Sequence, residues 1–219
     1  MDKVDKIFEI LNKEYQKWNA PVIQFMAQNG DDPFKILVST ILSLRTKDEV
    51  TAKASERLFN VVKFPKDLLK LTEKEIENII YPVGFYRNKA KVLKEVAKEL
   101  IQNYNGKVPD NLEDLLKLKG VGRKTANLVL SAAYKKPAIC VDTHVHRISN
   151  RLGFVKTKDP HQTEFELMKV IPKRYWQDIN RLFVAFGQTI CKPIKPTCDE
   201  CPIKDFCEAY KNGSVKSGR

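Results

Sequence analysis

Apolar residues recur every three or four positions along most of this chain, and no convincing strand-length run alternates. Val4, Ile7, Phe8, Leu11 and Tyr15 form one such stripe, the spacing of an amphipathic helix. Phe34, Leu37, Val38 and Ile41 form the next, and Asp32-Pro33 ahead of them reads as a cap followed by proline at the first helical position. Thr72-x-x-Glu75 fits a capping box before Ile76, Ile79 and Ile80, and Gly84 then reads as a stop. Ala90, Leu93, Val96, Ala97, Leu100 and Ile101 make a longer stripe. Asp110 with Glu113 resembles a second capping pair, ahead of Leu112, Leu115 and Leu116. Gly120 and Gly122 interrupt the pattern. A helix resumes over about 124–134, and another follows Asp142 with Val145, Ile148 and Leu152 facing inward. The pattern predicts an all-α protein whose stripes are its core.

At 219 residues the chain has room for one large domain or two small ones. No run of about 18 apolar residues is present, so no membrane-spanning helix is expected. The first six residues carry mixed charges and lack the apolar stretch of a secretory signal. These features point to a cytoplasmic protein, where clustered cysteines more often bind metal than pair. A net charge of +12 and a pI near 9.4 suit a polyanionic partner, nucleic acid or an anionic membrane surface. A lysine-rich surface that merely keeps the chain soluble would give the same charge.

Two segments carry candidate chemistry. In Leu118-Lys119-Gly120-Val121-Gly122-Arg123-Lys124-Thr125-Ala126 a glycine-rich turn joins two helical patterns. Gly120 and Gly122 are expected to supply unusual backbone angles and a close approach, and the exposed N–H groups with the helix's positive end attract a phosphate. Arg123 adds charge. Lys124 falls in the first helical turn, where the dipole disfavours a cation and partial burial would lower its pKa further. It is thus either a nucleophilic amine or one more phosphate-binding lysine. Val83 to Ala90 is a faint echo of this turn, too little to claim a repeat. The second segment is Cys191-x6-Cys198-x2-Cys201-x5-Cys207, a ligand set for one metal centre, either zinc or an iron–sulfur cluster. Cys140 lies outside it and reads as a buried free thiol. Asp142 is placed to cap the helix that follows it.

The glycine turn, the run Val141-Asp142-Thr143-His144-Val145-His146-Arg147 and the cysteine spacing, in this order, resemble the endonuclease III family of helix-hairpin-helix DNA glycosylases. The resemblance runs from about the first helix to Tyr210. It implies two helical lobes: a six-helix barrel carrying the hairpin over 26–136, and a helical domain from 1–25 with 137–211 holding a [4Fe–4S] loop, followed by a basic tail at 212–219. Cys191, Cys198, Cys201 and Cys207 would then bind that cluster, and Lys192 and Lys195 on its loop would contact DNA. By the same resemblance Lys124 is a Schiff-base nucleophile and Asp142 the catalytic carboxylate, while Gly120, Gly122, Arg123 and His144 belong to the DNA interface. His144 has a structural alternative. Members of the family fill the gap left by a displaced base from two loops. Arg45 stands where glutamine is common and Phe85 where leucine is common. The implied protein is a bifunctional glycosylase/AP lyase acting as a monomer on double-stranded DNA with damaged pyrimidines or abasic sites, associated with the nucleoid and with no membrane.

Overall fold

The computed structural model describes residues 2–18, 21–30 and 32–217. Among them the chain is helical and contains no strand. In chain order the helices are α1 (Lys3–Tyr15), α2 (Val22–Gln28), α3 (Pro33–Ser43), α4 (Asp48–Val61), α5 (Pro65–Lys70), α6 (Glu73–Ile80), α7 (Tyr86–Tyr104), α8 (Leu112–Lys117), α9 (Arg123–Ala132), α10 (Thr143–Leu152), α11 (Pro160–Val170), α12 (Trp176–Thr189) and α13 (Glu208–Lys211). Short 3₁₀ turns lie at Lys173–Tyr175, Cys198–Glu200 and Lys204–Phe206. The contacts divide the chain into two compact units, Val22–Lys136 and the pair Met1–Pro21 with Pro137–Arg219. Of the expected basic tail, the last two residues lie outside the described ones.

In the Val22–Lys136 unit, α3 packs against α2, α4, α7 and α9, while α5 and α6 pack against α7. The sequence marks one face of α3 as apolar. In fact the helix is buried almost all round, from Phe34 and Ile36 to Leu42, with Ser39 and Thr40 included. The two hydroxyls are satisfied internally: Ser39 Oγ donates to Ser55 Oγ at 2.9 Å and Thr40 Oγ1 to the Ile36 carbonyl at 2.7 Å. Helix α3 is thus the unit's central rod, capped by Asp32, whose carboxylate accepts from the N–H groups of Phe34 and Lys35. The capping box of α6 is present, with Glu75 N–H on Thr72 Oγ1 and Thr72 N–H on Glu75 Oε2. The cap of α8 is Asn111, which accepts from Asp114 N–H, and not Asp110, which instead pairs with Lys136. Ile101, expected in the core stripe of α7, is 37 % exposed, because the stripe rotates outward at the helix end.

In the other unit, α10 packs on α11, α12 and α13, and α12 packs on α1. Ile7, Phe8 and Leu11 of α1 meet Val145, Ile148 and Leu152 of α10 and Leu182, Phe183 and Phe186 of α12 in one fully dry cluster. Each such side chain contributes roughly 1.5–3 kcal/mol of burial. This cluster is the platform on which α10 is held.

Candidate active site

The turn before α9 bends at Gly120, where φ is +73° and a Cβ would stand 2.7 Å from Val92 Cγ1. Only glycine fits there. Gly122 differs: its φ of −91° and ψ of 175° are open to any residue, and a Cβ would meet nothing within 4 Å. The expectation of unusual angles therefore holds at Gly120 alone. Gly122 is the N-cap of α9, and no side-chain oxygen caps the helix. Its first turn holds no acid but does hold Arg123 and Lys124. A helix start with the positive dipole end, no capping carboxylate and two cations is suited to an anion. Lys124 is exposed, so the partial burial that would favour a neutral amine is not there.

Lys124 lines an open pocket of about 420 Å³, a ligand-sized space, together with Leu44, Arg45, Phe85, Lys89 and Gly120. Arg45 and Phe85 both adopt left-handed backbone angles, φ 54° and 56°. Phe85 is 63 % exposed, and the Arg45 guanidinium lies 5.5 Å from its ring centroid. Sequence reasoning missed Lys89. It is only 5 % exposed, and its Nζ donates to the carbonyls of Leu42 (2.8 Å) and Leu44 (2.5 Å) and to Thr46 Oγ1 (3.2 Å). Burial pulls its pKa down to about 8, while the three acceptor oxygens favour the charged form. Its one signal in the sequence is its place in the echo of the glycine turn.

Asp142 caps α10, with Oδ1 accepting from Val145 N–H at 2.8 Å. His144 Nδ1 lies 3.1 Å from Arg147 Nη2 and packs on Gly187, where a Cβ would come within 2.5 Å of that nitrogen. Arg147 Nη2 also donates to the Cys191 carbonyl at 2.7 Å, and burial lowers the guanidinium's pKa. One turn on, Arg151 donates to Cys191 Sγ and to the carbonyls of Lys192 and Pro193. Arg147 and Arg151 thus hold the start of the cysteine loop from one face of α10. Neither was singled out from the sequence, although their spacing of four from one another marks a shared helix face.

The four cysteines, Cys191, Cys198, Cys201 and Cys207, line one cavity whose accessible surface is apolar. Burial, then the neighbouring thiols, raise the pKa values of Cys198 and Cys207. Burial pushes Cys201 up to about 12. Among the described residues, no three histidine, cysteine or acidic side chains are grouped to hold a metal ion. Lys192 and Lys195 are exposed on the loop either side of Ile194, itself 80 % exposed. Cys140 is buried and outside any disulfide.

A family profile described as "HhH-GPD superfamily base excision DNA repair protein" matches residues 38–173. The chain belongs to the HhH-GPD superfamily. Endonuclease III of Thermotoga maritima is 53 % identical over 180 residues, 82 % of this chain and 84 % of that protein. Among solved structures, a non-covalent endonuclease III–DNA complex is similar with a TM-score of 0.85 and 35 % identity, covering 99 % of this chain and all of that one. A trapped endonuclease III–DNA covalent intermediate, an estranged-adenine complex, has a TM-score of 0.81 and 35 % identity, covering 98 % and 100 %. This chain is therefore endonuclease III-like, a base excision repair glycosylase and AP lyase.

Proposed function

We propose that this glycosylase/AP lyase removes oxidised pyrimidines from double-stranded DNA, with Lys124 as nucleophile and Asp142 as the catalytic carboxylate. The carrying observation is Lys124 in the first turn of α9, in the pocket that Gly120, Arg45 and Phe85 also line. A phosphate docks against the start of α9, where Gly122 has no side chain to obstruct it. The damaged nucleotide leaves the stack and enters the pocket. Once deprotonated, the Lys124 amine attacks C1′ and the C1′–N bond breaks, its electron pair and a proton leaving with the base. Asp142 supplies negative charge against the cation that builds on the sugar. The sugar ring opens to an imine on Lys124, which acidifies C2′–H. Loss of that proton breaks the C3′–O3′ bond, cutting the strand 3′ to the lesion and leaving a phosphate on the downstream fragment. Water then hydrolyses the imine and frees Lys124. A trapped covalent intermediate of a relative with DNA is in keeping with this route.

We assign Cys191, Cys198, Cys201 and Cys207 to a [4Fe–4S] cluster. Four cysteine thiols lining one apolar cavity are the donor set such a cluster takes. Burial and mutual repulsion disfavour free thiolates at Cys198, Cys201 and Cys207, and a bound cationic centre would offset both. When bound, the cluster supplies sulfur–iron bonds that fix the loop bearing Lys192 and Lys195, and the reaction takes no electron from it. We place the working enzyme as a monomer on DNA in the cytoplasm.

The test is borohydride trapping on a duplex bearing thymine glycol, beside undamaged duplex and Lys124→Ala. A covalent adduct formed only on damaged DNA and lost in the variant is the expected result. An adduct that survives in Lys124→Ala would remove Lys124 from its role.

A further inference from the structure

Lys89 occupies a place that burial and electrostatics both disfavour. It stands in the first turn of α7, where the helix dipole repels a cation, and it is almost fully buried. No acidic side chain compensates it among its hydrogen-bond partners, which are the oxygens of Leu42, Leu44 and Thr46. The two carbonyls lie at the C-terminal end of α3, so Lys89 caps the negative end of that helix. The third partner connects to something else. Thr46 Oγ1 also accepts from Gly84 N–H at 3.1 Å. The turn ending at Thr46 and the turn at Gly84 meet backbone to backbone: a Cβ on Gly84 would stand 2.5 Å from the Arg45 carbonyl oxygen.

This clasp brackets two residues that stand out for other reasons. Arg45 and Phe85 are both non-glycine residues at positive φ, a costly conformation that persists only where the surroundings enforce it. Both are exposed at the pocket that Lys124 lines, and they stack on one another. An exposed aromatic with a guanidinium on its face suits insertion into a base stack and hydrogen bonding to an unpaired base.

We propose that Lys89 is a positioning residue for base displacement: with Thr46 it clasps the turn of residues 42–46 to the Gly84–Phe85 turn, and so presents Arg45 and Phe85 as one wedge beside Lys124. The proposal rests on the glycosylase reading above and adds to it the part that holds the wedge. Although Lys89 borders the pocket, its ammonium is taken up by the oxygens of Leu42, Leu44 and Thr46, so it acts through the turn it holds. Its effect lies in the step that opens the duplex.

The experiment compares the full chain with Lys89→Met and Thr46→Val in three readouts. These are single-turnover excision from a thymine glycol duplex, borohydride trapping on a ready-made abasic duplex, and fluorescence of 2-aminopurine placed next to the lesion. Excision and the fluorescence change fall about tenfold to a hundredfold in Lys89→Met and several-fold in Thr46→Val, since small misplacements cost that much. Trapping at the abasic site, which has no base to unstack, stays within about twofold of the wild type, because Lys124 is untouched. Excision and abasic trapping falling by the same factor would reduce Lys89 to a general structural role and overturn the proposal, as would unchanged excision in both variants. If Lys89→Met does not fold, Thr46→Val decides alone, since it removes one hydroxyl and keeps the side chain's shape. A wild type that neither excises nor traps would overturn both readings, whereas an active wild type with unchanged variants overturns the clasp only.

Discussion

The Arg151 guanidinium stands 3.2 Å from the sulfur of Cys191, and Cys207 Sγ donates back to the Arg151 carbonyl at 3.3 Å. The same guanidinium reaches the carbonyls of Lys192 at 2.8 Å and Pro193 at 3.1 Å. One side chain of α10 therefore holds both the first cysteine and the loop that leaves it. Arg151→Met keeps the stem and removes every donor. The expected loss of stability is about 1 kcal/mol, the low end for unmet hydrogen-bond partners, because two of them lie near solvent. Groups that orient metal ligands typically matter about 10–100-fold to metal retention, so with the proposed cluster bound the purified variant should bleach faster at 400 nm. Equal bleaching and equal melting temperature would show that the contact is idle.

Asp142 caps α10, and the catalytic charge proposed for it can be separated from that cap by one substitution. Asparagine caps a helix about as well as aspartate, so Asp142→Asn should keep the bond to Val145 N–H and melt within about 0.5 kcal/mol of the wild type. It removes the negative charge, and excision should fall about 10²-fold or more, the scale of losing a preorganised electrostatic group. Asp142→Ala loses both, with about 1 kcal/mol of destabilisation added. Single-turnover excision together with thermal melting reads the split. If the asparagine variant excises at the wild-type rate, the charge has no part in the chemistry.

The two glycines of the hairpin should respond in opposite ways. Gly120→Ala forces a side chain into the left-handed region, at about 1–2 kcal/mol, and drives its Cβ against Val92. Its melting temperature should drop. Gly122→Ala meets no atom of the protein and adopts an ordinary φ, so stability should be unchanged or slightly raised. Its DNA affinity should fall several-fold, because the methyl stands where the phosphate would approach. Undiminished binding by Gly122→Ala would mean that no phosphate docks there.

What was legible in the sequence was local. The Asp32 and Thr72–Glu75 caps, the stripes of α1 and α10, the Gly120 turn and the four cysteines each depend on residues a few positions apart. The α8 cap was misplaced by one residue, because Asp110 and Asn111 are both good caps and only the backbone chooses between them. Lys89 was invisible for a different reason. Its three partners lie 43 to 47 residues away, and a lysine after Asn88 in a basic chain carries no mark of burial. Arg147 and Arg151 reach partners 40 to 44 residues away; the first was read only as part of a motif and the second not at all. The exposure of Lys124 was equally out of reach, since periodicity places a residue on a helix without saying what covers it.

Lys89 also makes a prediction about pH. Its folded pKa of about 8 lies below the value of 10.5 for a free lysine. Between these values the unfolded chain holds a proton that the folded chain has released. Stability therefore rises with pH across that window, and the full penalty of the buried charge is present below about pH 8. The span corresponds to about 3 kcal/mol at most, since each pKa unit is worth about 1.4 kcal/mol, and the three oxygen acceptors reduce it. Lys89→Met has no proton to lose at this position. The difference in unfolding free energy between wild type and Lys89→Met should thus shift toward the wild type on going from pH 7.5 to pH 10, when both are measured by urea denaturation. Other lysines titrate alike in the two proteins and cancel. A gap that stays constant over this range would mean that Lys89 keeps its proton in the folded state, with the Leu42, Leu44 and Thr46 oxygens outweighing burial.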